Sequence, residues 1–474
     1  MILNDQNIFN EVVRLVKSNK SIFVSDENNP LDASIIDKLD NVKDYKDLYK
    51  HYQEVYVLWV ELIEKSIKCL RYYDDREPFK KHSKKEPVVH GMDKLAGYFR
   101  KYSDFEGLLY GADKYYRDHV FHVFRTWATG VYILLSNGMA ILKATKTDGV
   151  SLTDLNIFPM ELLSMWTIAA LCHDLGYPLE KARNVIAKTK EMTQSIIGDS
   201  EIWADLSFSG IQEEINLLLL RFMSSKMLIN SQNEPGGDQY CTMRVQPKYY
   251  IKLCKSLEKY DHGVLSAIVL SKSLVYFMES EFGVNEDYFF KRDDYKQFYV
   301  KREILRTIAF HTCPDIYHMS ASSLPFLLIL CDEVQNWDRR SWTDHYEHIE
   351  KTTTVEFEKI TPDSIIIKES LGKINADKVP VIVEVTKQQF EKLKIILRDG
   401  IETFKRDFDF KKTIVIKVGK GKIHLILEIP KDSSANLLLH NYGTGKTTVE
   451  DNIIPGVKKF CDCVYIEEGK YKIC

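Results

Sequence analysis

The sequence predicts a mainly α-helical chain that ends in a smaller α+β part. Two observations predict it. Between about residues 111 and 342, apolar side chains recur at helical spacing. From about residue 343 onward, short β-branched runs with period-2 alternation take over. Length agrees, since 474 residues exceed a typical single domain.

Residues 1–110 read as an N-terminal helical extension, with helix-spaced apolar residues over Tyr45–Glu64 and a charged loop from Asp74 to Glu86. The stretch 111–342 reads as a helical domain. A long helix covers Asp113 to Lys143. The next has Pro159 near its start and runs into His173, and Pro178 starts the one after. An insertion is expected over about 185–245, with a turn-rich loop at Asn230–Asp238. Helices follow at about 246–258, 263–281, 293–310 and 322–337. In residues 343–474, Thr353–Ile360, Ser364–Lys368, Val379–Val385, Thr413–Val418 and Ile423–Ile429 read as strands. An amphipathic helix is expected from Lys387 to Arg406, and the tail from Asp432 carries no decisive pattern.

Composition narrows the function classes. Hydrophobic content of 45% and charged content of 28% describe an ordinary globular protein. A net charge of -3 offers no bulk attraction to nucleic acid or anionic membrane, so neither is expected as a partner. No uncharged apolar run reaches membrane-spanning length. The start, Met1–Gln6, lacks a basic region followed by an apolar core, so the expected location is cytoplasmic. The nine cysteines are odd in number and lack paired CxxC spacing, which favours neither a disulfide framework nor a structural zinc site. Cys172 and Cys331 read as small buried hydrophobes.

The chemistry lies in histidines and aspartates. His173 and Asp174 end the apolar run Trp166–Cys172, just before Gly176-Tyr177-Pro178. Neutral imidazole beside ionised carboxylate suits a divalent ion such as Fe, Mn, Co or Zn. Further positions can complete a site. His119, His122 and Arg125, spaced i, i+3, i+6, share one helix face. His262 opens an apolar helix and His311 closes another. Asp332 lies inside the apolar run Leu327–Val334, where a buried carboxylate wants a partner that a cation would supply.

This order of residues resembles the HD superfamily of metal-dependent phosphohydrolases, over about Arg117 to Arg340. Flanking residues fit too: Arg125 shortly after the first histidine, Gly176 two after the His-Asp pair, His262-Gly-Val-Leu-Ser-Ala267, and Ile308-Ala-Phe-His-Thr312. The resemblance implies that His122, His173, Asp174 and Asp332 bind one ion. Asp174 would then bridge to a second ion held by His262 and His311. That is the pattern of the binuclear subset, which includes dinucleoside-polyphosphate hydrolases and cyclic-nucleotide phosphodiesterases. The implied activity is hydrolysis of a phosphoester or phosphoanhydride in a nucleotide or another phosphorylated small molecule. Asp174 would be catalytic, orienting the water, with His119 and Arg125 on the phosphate oxygens. Two such ions, about 3.5–4 Å apart, lower the pKa of a bridging water and stabilise the oxygens of an in-line displacement.

The chain also departs from the family pattern. Tyr177 stands where many members have Lys, so Lys181, Arg117, Arg125 or Arg339 is needed as the phosphate-facing cation. Gly176-Tyr177-Pro178 is not the motif of cyclic-di-GMP phosphodiesterases, which follows His-His-Glu near the fifth ligand; here His311-Thr-Cys-Pro314 stands there. Some HD proteins use the same six ligands for a diiron centre that cleaves C–H or C–P bonds with O2. A third reading is a nucleotide-sensing regulatory module whose C-terminal unit binds a protein partner or a second copy.

Three other features carry no chemistry. Gly443-Thr-Gly-Lys-Thr-Thr448 resembles the end of a P-loop but has His440 where that motif needs Gly, and it reads as a turn. His345 and His348 read as a solvated helix end. The 26 Tyr and 23 Phe read as packing residues.

Overall fold

The computed structural model describes residues 1–19, 30–42, 48–70, 88–112, 118–136, 146–147, 150–151, 155, 157–197, 211–230, 240–279, 292–314, 316, 323–338, 353–397, 408–431, 433–467 and 469–474. The expected charged loop at Asp74–Glu86, most of the loop at Asn230–Asp238, and His345 and His348 lie outside them.

Twelve helices precede the main sheet in the described residues: α1 Asp5–Ser18, α2 Ala33–Val42, α3 Tyr52–Leu70, α4 Met92–Ala112, α5 Val120–Ser136, α6 Pro159–Cys172, α7 Tyr177–Ile197, α8 Ile211–Met223, α9 Pro247–Glu258, α10 His262–Ser273, α11 Arg292–Phe310 and α12 Leu324–Val334. The sequence places α9 to α12 well but overruns two ends. α10 stops at Ser273 rather than 281, and α12 at Val334 rather than 337. Within the expected insertion lie the last turns of α7, α8 and an antiparallel hairpin of β4 (Ser225–Asn230) with β5 (Tyr240–Val245). A small pair, β2 (Lys146–Thr147) and β3 (Val150–Ser151), follows α5.

The centre of the helical part is α6. Every residue from Glu161 to Cys172 is buried, as expected of a helix apolar on all sides and surrounded by others. Pro159 sits in its first turn, where no N–H is needed. Helices α3, α5 and α11 pack around it. Buried tryptophans fix the packing by spending their N–H groups: Trp127 Nε1 donates to Thr167 Oγ1 at 3.0 Å, and Trp166 Nε1 to the Trp127 carbonyl at 3.0 Å. The first 110 residues join this same core. Trp59 Nε1 donates to the Leu171 carbonyl at 2.9 Å, and the Tyr98 hydroxyl to the Leu175 carbonyl at 2.6 Å. Both acceptors flank His173-Asp174.

The C-terminal part is an eight-stranded mixed sheet with strand order β1-β6-β7-β8-β9-β10-β12-β11. Its strands are β1 Ile2–Leu3, β6 Thr354–Thr361, β7 Ser364–Lys373, β8 Asp409–Val418, β9 Gly421–Ile429, β10 Asn436–Tyr442, β11 Cys463–Glu467 and β12 Lys470–Ile473. The tail that lacked a pattern thus supplies three strands, with helical turns over Thr448–Ile453 and α14 (Ile454–Val457). The N-terminal strand β1 pairs with β6, so the two ends of the chain meet in one sheet.

The expected strand at Val379–Val385 is not formed. These residues are the first turns of helix α13, Val379–Ile396, which crosses between the parallel strands β7 and β8. Pro380 occupies the first turn. Val379, Val383, Thr386, Phe390 and Leu393 are buried, while Val381 and Val385 are exposed. The burial therefore follows the helical period, and the β-branched composition misled. No described helix is long and apolar enough to cross a membrane.

The Gly443–Lys446 segment is a turn after β10, with Gly443 at φ +74. Lys446 is 84% exposed and meets Glu450 at 3.9 Å.

Candidate metal centre

Five elements bring six side chains to one point. His122 lies in the first turn of α5. His173 caps the C-terminal end of α6, and Asp174 follows it. His262 opens α10, His311 follows α11, and Asp332 sits in the last turn of α12. His122 Nε2 is 2.8 Å from Asp332 Oδ1 and 3.9 Å from Asp174 Oδ2. His173 Nε2 is 3.4 Å from Asp174 Oδ2 and 3.9 Å from Asp332 Oδ1. On the other oxygen of Asp174, His262 Nε2 stands at 3.4 Å and His311 Nε2 at 3.7 Å. All six predicted ligands thus come together.

Each imidazole has its other nitrogen occupied by an acceptor. His122 Nδ1 donates to Gln335 Oε1 at 2.6 Å, whose amide is oriented because its Nε2 donates to the Trp337 carbonyl at 2.8 Å. His173 Nδ1 donates to the Ala170 carbonyl at 2.7 Å, and His311 Nδ1 to the Ile308 carbonyl at 2.6 Å. His262 Nδ1 donates to Glu180 Oε2 at 2.7 Å. These partners place a proton on each Nδ1 and aim each Nε2 at the carboxylates. His122 Nε2 makes a hydrogen bond with Asp332 Oδ1 at 2.8 Å. The Nε2 atoms of His173 and His311 are left as lone pairs facing the carboxylates, and these acceptors repel one another unless a cation lies between them.

Two observations test the fit. His173 Nε2 and His311 Nε2 are buried with no hydrogen-bond partner among the described residues, a costly condition unless something ligates them. In addition, His122, His173 and Asp332 offer donor atoms within 4.8 Å of one another, as do His173, Asp174 and His311. Ligands at about 2.0–2.2 Å from one ion stand up to about 4.4 Å apart, so these spacings suit transition-metal coordination. The chain carries groups able to hold a metal ion, compatible with an HD-type site.

The electrostatics agree. Burial presses the His173 imidazole down to about 4, against the pull of Asp174. Burial alone would raise Asp174, but His173, His119, His311 and His262 hold it well below the usual carboxylate range. Asp332 is likewise depressed against its burial, chiefly by His122. Both carboxylates therefore stay ionised, as ligation requires.

The packing explains the flanking motif residues. A Cβ on Gly176 would meet Leu265 Cβ at 2.5 Å and Ser266 N at 2.6 Å, so only glycine lets α10 approach. The Gly176 N–H is held by Ser266 Oγ at 2.7 Å. Gly263 N–H donates to Thr312 Oγ1 at 3.1 Å, tying the start of α10 to the residue after His311.

The predicted substrate contacts divide. The His119 ring lies tilted against Tyr177, with ring centroids 3.7 Å apart, and helps to lower the Asp174 pKa. Lys181 Nζ lies 4.8 Å from the centre of the Tyr177 ring and 3.7 Å from Glu180 Oε1. Arg125 is committed elsewhere. It is 1% exposed, and its Nε and Nη2 donate to the two oxygens of Asp5 at 2.7 and 2.8 Å. It clamps α1 onto α5, and Asp5 holds its guanidinium away from the His122 side chain's contacts. Arg117 and Arg339 lie outside the described residues.

Sequence reasoning missed Gln335 and Glu180, which orient His122 and His262. Glu180 is held ionised, against its burial, by His262. Its spacing from Asp174, on the first turn of α7, was the one available signal. The helix expected from Lys387 is the later part of α13, but its contact here was missed: Gln389 Nε2 and Lys392 Nζ reach the two oxygens of Glu333, each at 2.9 Å, beside Asp332.

Comparison with protein-family models, with curated proteins and with solved structures gives no match for this chain.

Proposed function

We propose that the chain is a metal-dependent phosphohydrolase acting on a nucleotide or another phosphorylated small molecule through a binuclear centre. One observation carries the reading. Four imidazole Nε2 atoms converge on Asp174 and Asp332, with every Nδ1 already spent. Asp174 offers one oxygen to His122 and His173 and the other to His262 and His311, the arrangement that a bridging carboxylate needs.

His122, His173, Asp174 and Asp332 would hold one divalent ion, and His262, His311 and Asp174 a second. Bound ions would supply Lewis acidity toward phosphate oxygens and acidify a coordinated water. The protein's share is to keep both carboxylates ionised, to aim the imidazoles, and to bury His173 and His311 away from water. His173 and His311 are 0% and 1% exposed, whereas the Asp332 and His262 side chains are 24% and 21% exposed. Substrate therefore reaches the site past Asp332 and His262.

The test is metal analysis of the purified protein with a screen of nucleotides and phosphoesters. Two transition ions per chain and metal-dependent phosphate release are expected. Asp174→Ala should abolish release, because both ions share that residue. Lys446→Ala should leave it intact, since that residue is exposed in a turn. Iron with O2 uptake and no phosphate release would instead assign oxygenase chemistry.

A further inference from the structure

Among the described residues the cations expected for the substrate's phosphate are engaged elsewhere: Arg125 is held by Asp5, and Lys181 lies over the Tyr177 ring, 3.7 Å from Glu180. The C-terminal unit brings one to the mouth. A cavity of about 310 Å³ lies between the end of α11 and helix α13, its walls including Phe310, Thr312, Ile316, Lys392, Ile395 and Ile396. Two contacts tie it to residues adjoining the accessible ligands. Its wall residue Thr312 accepts from Gly263 N, the neighbour of His262. Its wall residue Lys392 donates to Glu333, the neighbour of Asp332. Those two ligands are the accessible ones on the mouth side of the centre.

We propose that this cavity is the substrate-binding subsite, and that Lys392 of α13 is the phosphate-binding cation. The inference rests on the phosphohydrolase reading and extends it: the C-terminal unit completes the active site. The chemistry of the walls defines the ligand. Phe310, Ile316, Ile395 and Ile396 offer an apolar surface for a planar body such as a nucleobase, and one ammonium at the metal side suits a phosphate. Lys392 is 38% exposed at its side chain and, among the described residues, is held by one carboxylate, Glu333, at 2.9 Å. A phosphate of higher charge can share or take that ammonium, whereas Arg125 is held bidentately and buried. Glu333 also holds the lysine in place before the ligand arrives, which lowers the cost of ordering it.

The experiment uses the full-length, Mn-loaded chain and two probes, inorganic phosphate and AMP, by calorimetry. Lys392→Ala should keep its metal content and weaken both probes by tenfold or more. Lys392→Arg should recover affinity to within about threefold, since the charge is retained. Ile395→Trp, which fills the cavity from its exposed edge, should weaken AMP by tenfold while inorganic phosphate binds as in the unsubstituted protein. Unchanged affinity in Lys392→Ala overturns the assignment of the cation, and unchanged AMP affinity in Ile395→Trp overturns the cavity. Both of those outcomes leave the metal centre standing. Failure of the unsubstituted chain to bind any transition ion removes the phosphohydrolase reading and this subsite with it.

Discussion

At the scale of single residues, what decides the site is where protons sit. An imidazole binds a cation through a lone pair, and that lone pair is guaranteed only when the other nitrogen has an acceptor. Three of the four histidines use backbone carbonyls or an oriented amide, but His262 uses the charged Glu180, which accepts from its Nδ1 at 2.7 Å and from its backbone N–H at 3.1 Å. The same contact raises the His262 pKa against its burial. A carboxylate behind a histidine both aims the ring and makes its free nitrogen more basic, and such partners are worth about 10–100-fold in metal affinity. Glu180→Ala should therefore lower the affinity of the second ion by that range while the first ion, held by His122, His173, Asp174 and Asp332, binds as before. Glu180→Gln keeps a hydrogen-bond acceptor without the charge and should lie between. Stepwise metal titration by calorimetry checks this, and equal loss at both sites would show that Glu180 supports the whole cup rather than His262 alone.

At the scale of elements, the site needs α7 and α10 to approach closely, and Gly176 permits it. A methyl there would press on Leu265 and on the backbone of Ser266, which nothing flexible can relieve. Overpacking of this kind costs about 1–3 kcal/mol, and it would displace His262 at the start of α10. Gly176→Ala should lower the urea midpoint correspondingly and weaken the second ion; a midpoint and metal content equal to those of the parent would show that α10 moves freely. These elements also mark what the sequence made legible. The ligands could be found because each is a polar residue at the end of, or inside, an apolar helical run, where burial would otherwise be costly. Gly176, Gly263 and Ser266 belonged to the same pattern, although their packing roles appear only in three dimensions. Arg125 went astray because residues at i and i+3 share a face only broadly, and Asp5, 120 positions away, claimed its guanidinium. Val379–Val385 went astray because β-branched composition outweighed a helical burial period that tertiary packing imposed.

At the scale of the whole molecule, the sheet and the metal cup are one mechanical unit, which no local pattern disclosed. The buried apolar residues form one connected cluster that runs from Leu3 to Ile473. A polar path runs through it. Lys412 on β8 pairs with Glu369 on β7 at 2.9 Å, and both side chains are more than nine-tenths buried. Glu369 accepts from Asn336 Nδ2 at 3.4 Å, and Asn336 follows Gln335, which holds His122. Two charges taken out of water are tolerable only together. Removing one leaves the other uncompensated, at a cost of about 3–5 kcal/mol, while replacing both with apolar side chains of similar size is often neutral. Lys412→Met should therefore destabilise the chain by roughly that amount and loosen the segment that carries Gln335, lowering metal affinity at the His122 side. Lys412→Met combined with Glu369→Leu should restore most of the stability. It should not restore the metal affinity in full, because Asn336 has lost its anchor. Chemical denaturation and metal titration of the two variants separate these effects. If the double variant regains neither stability nor affinity, the pair acts through shape rather than charge; if Lys412→Met leaves the first ion's affinity unchanged, the sheet does not brace the cup through this path.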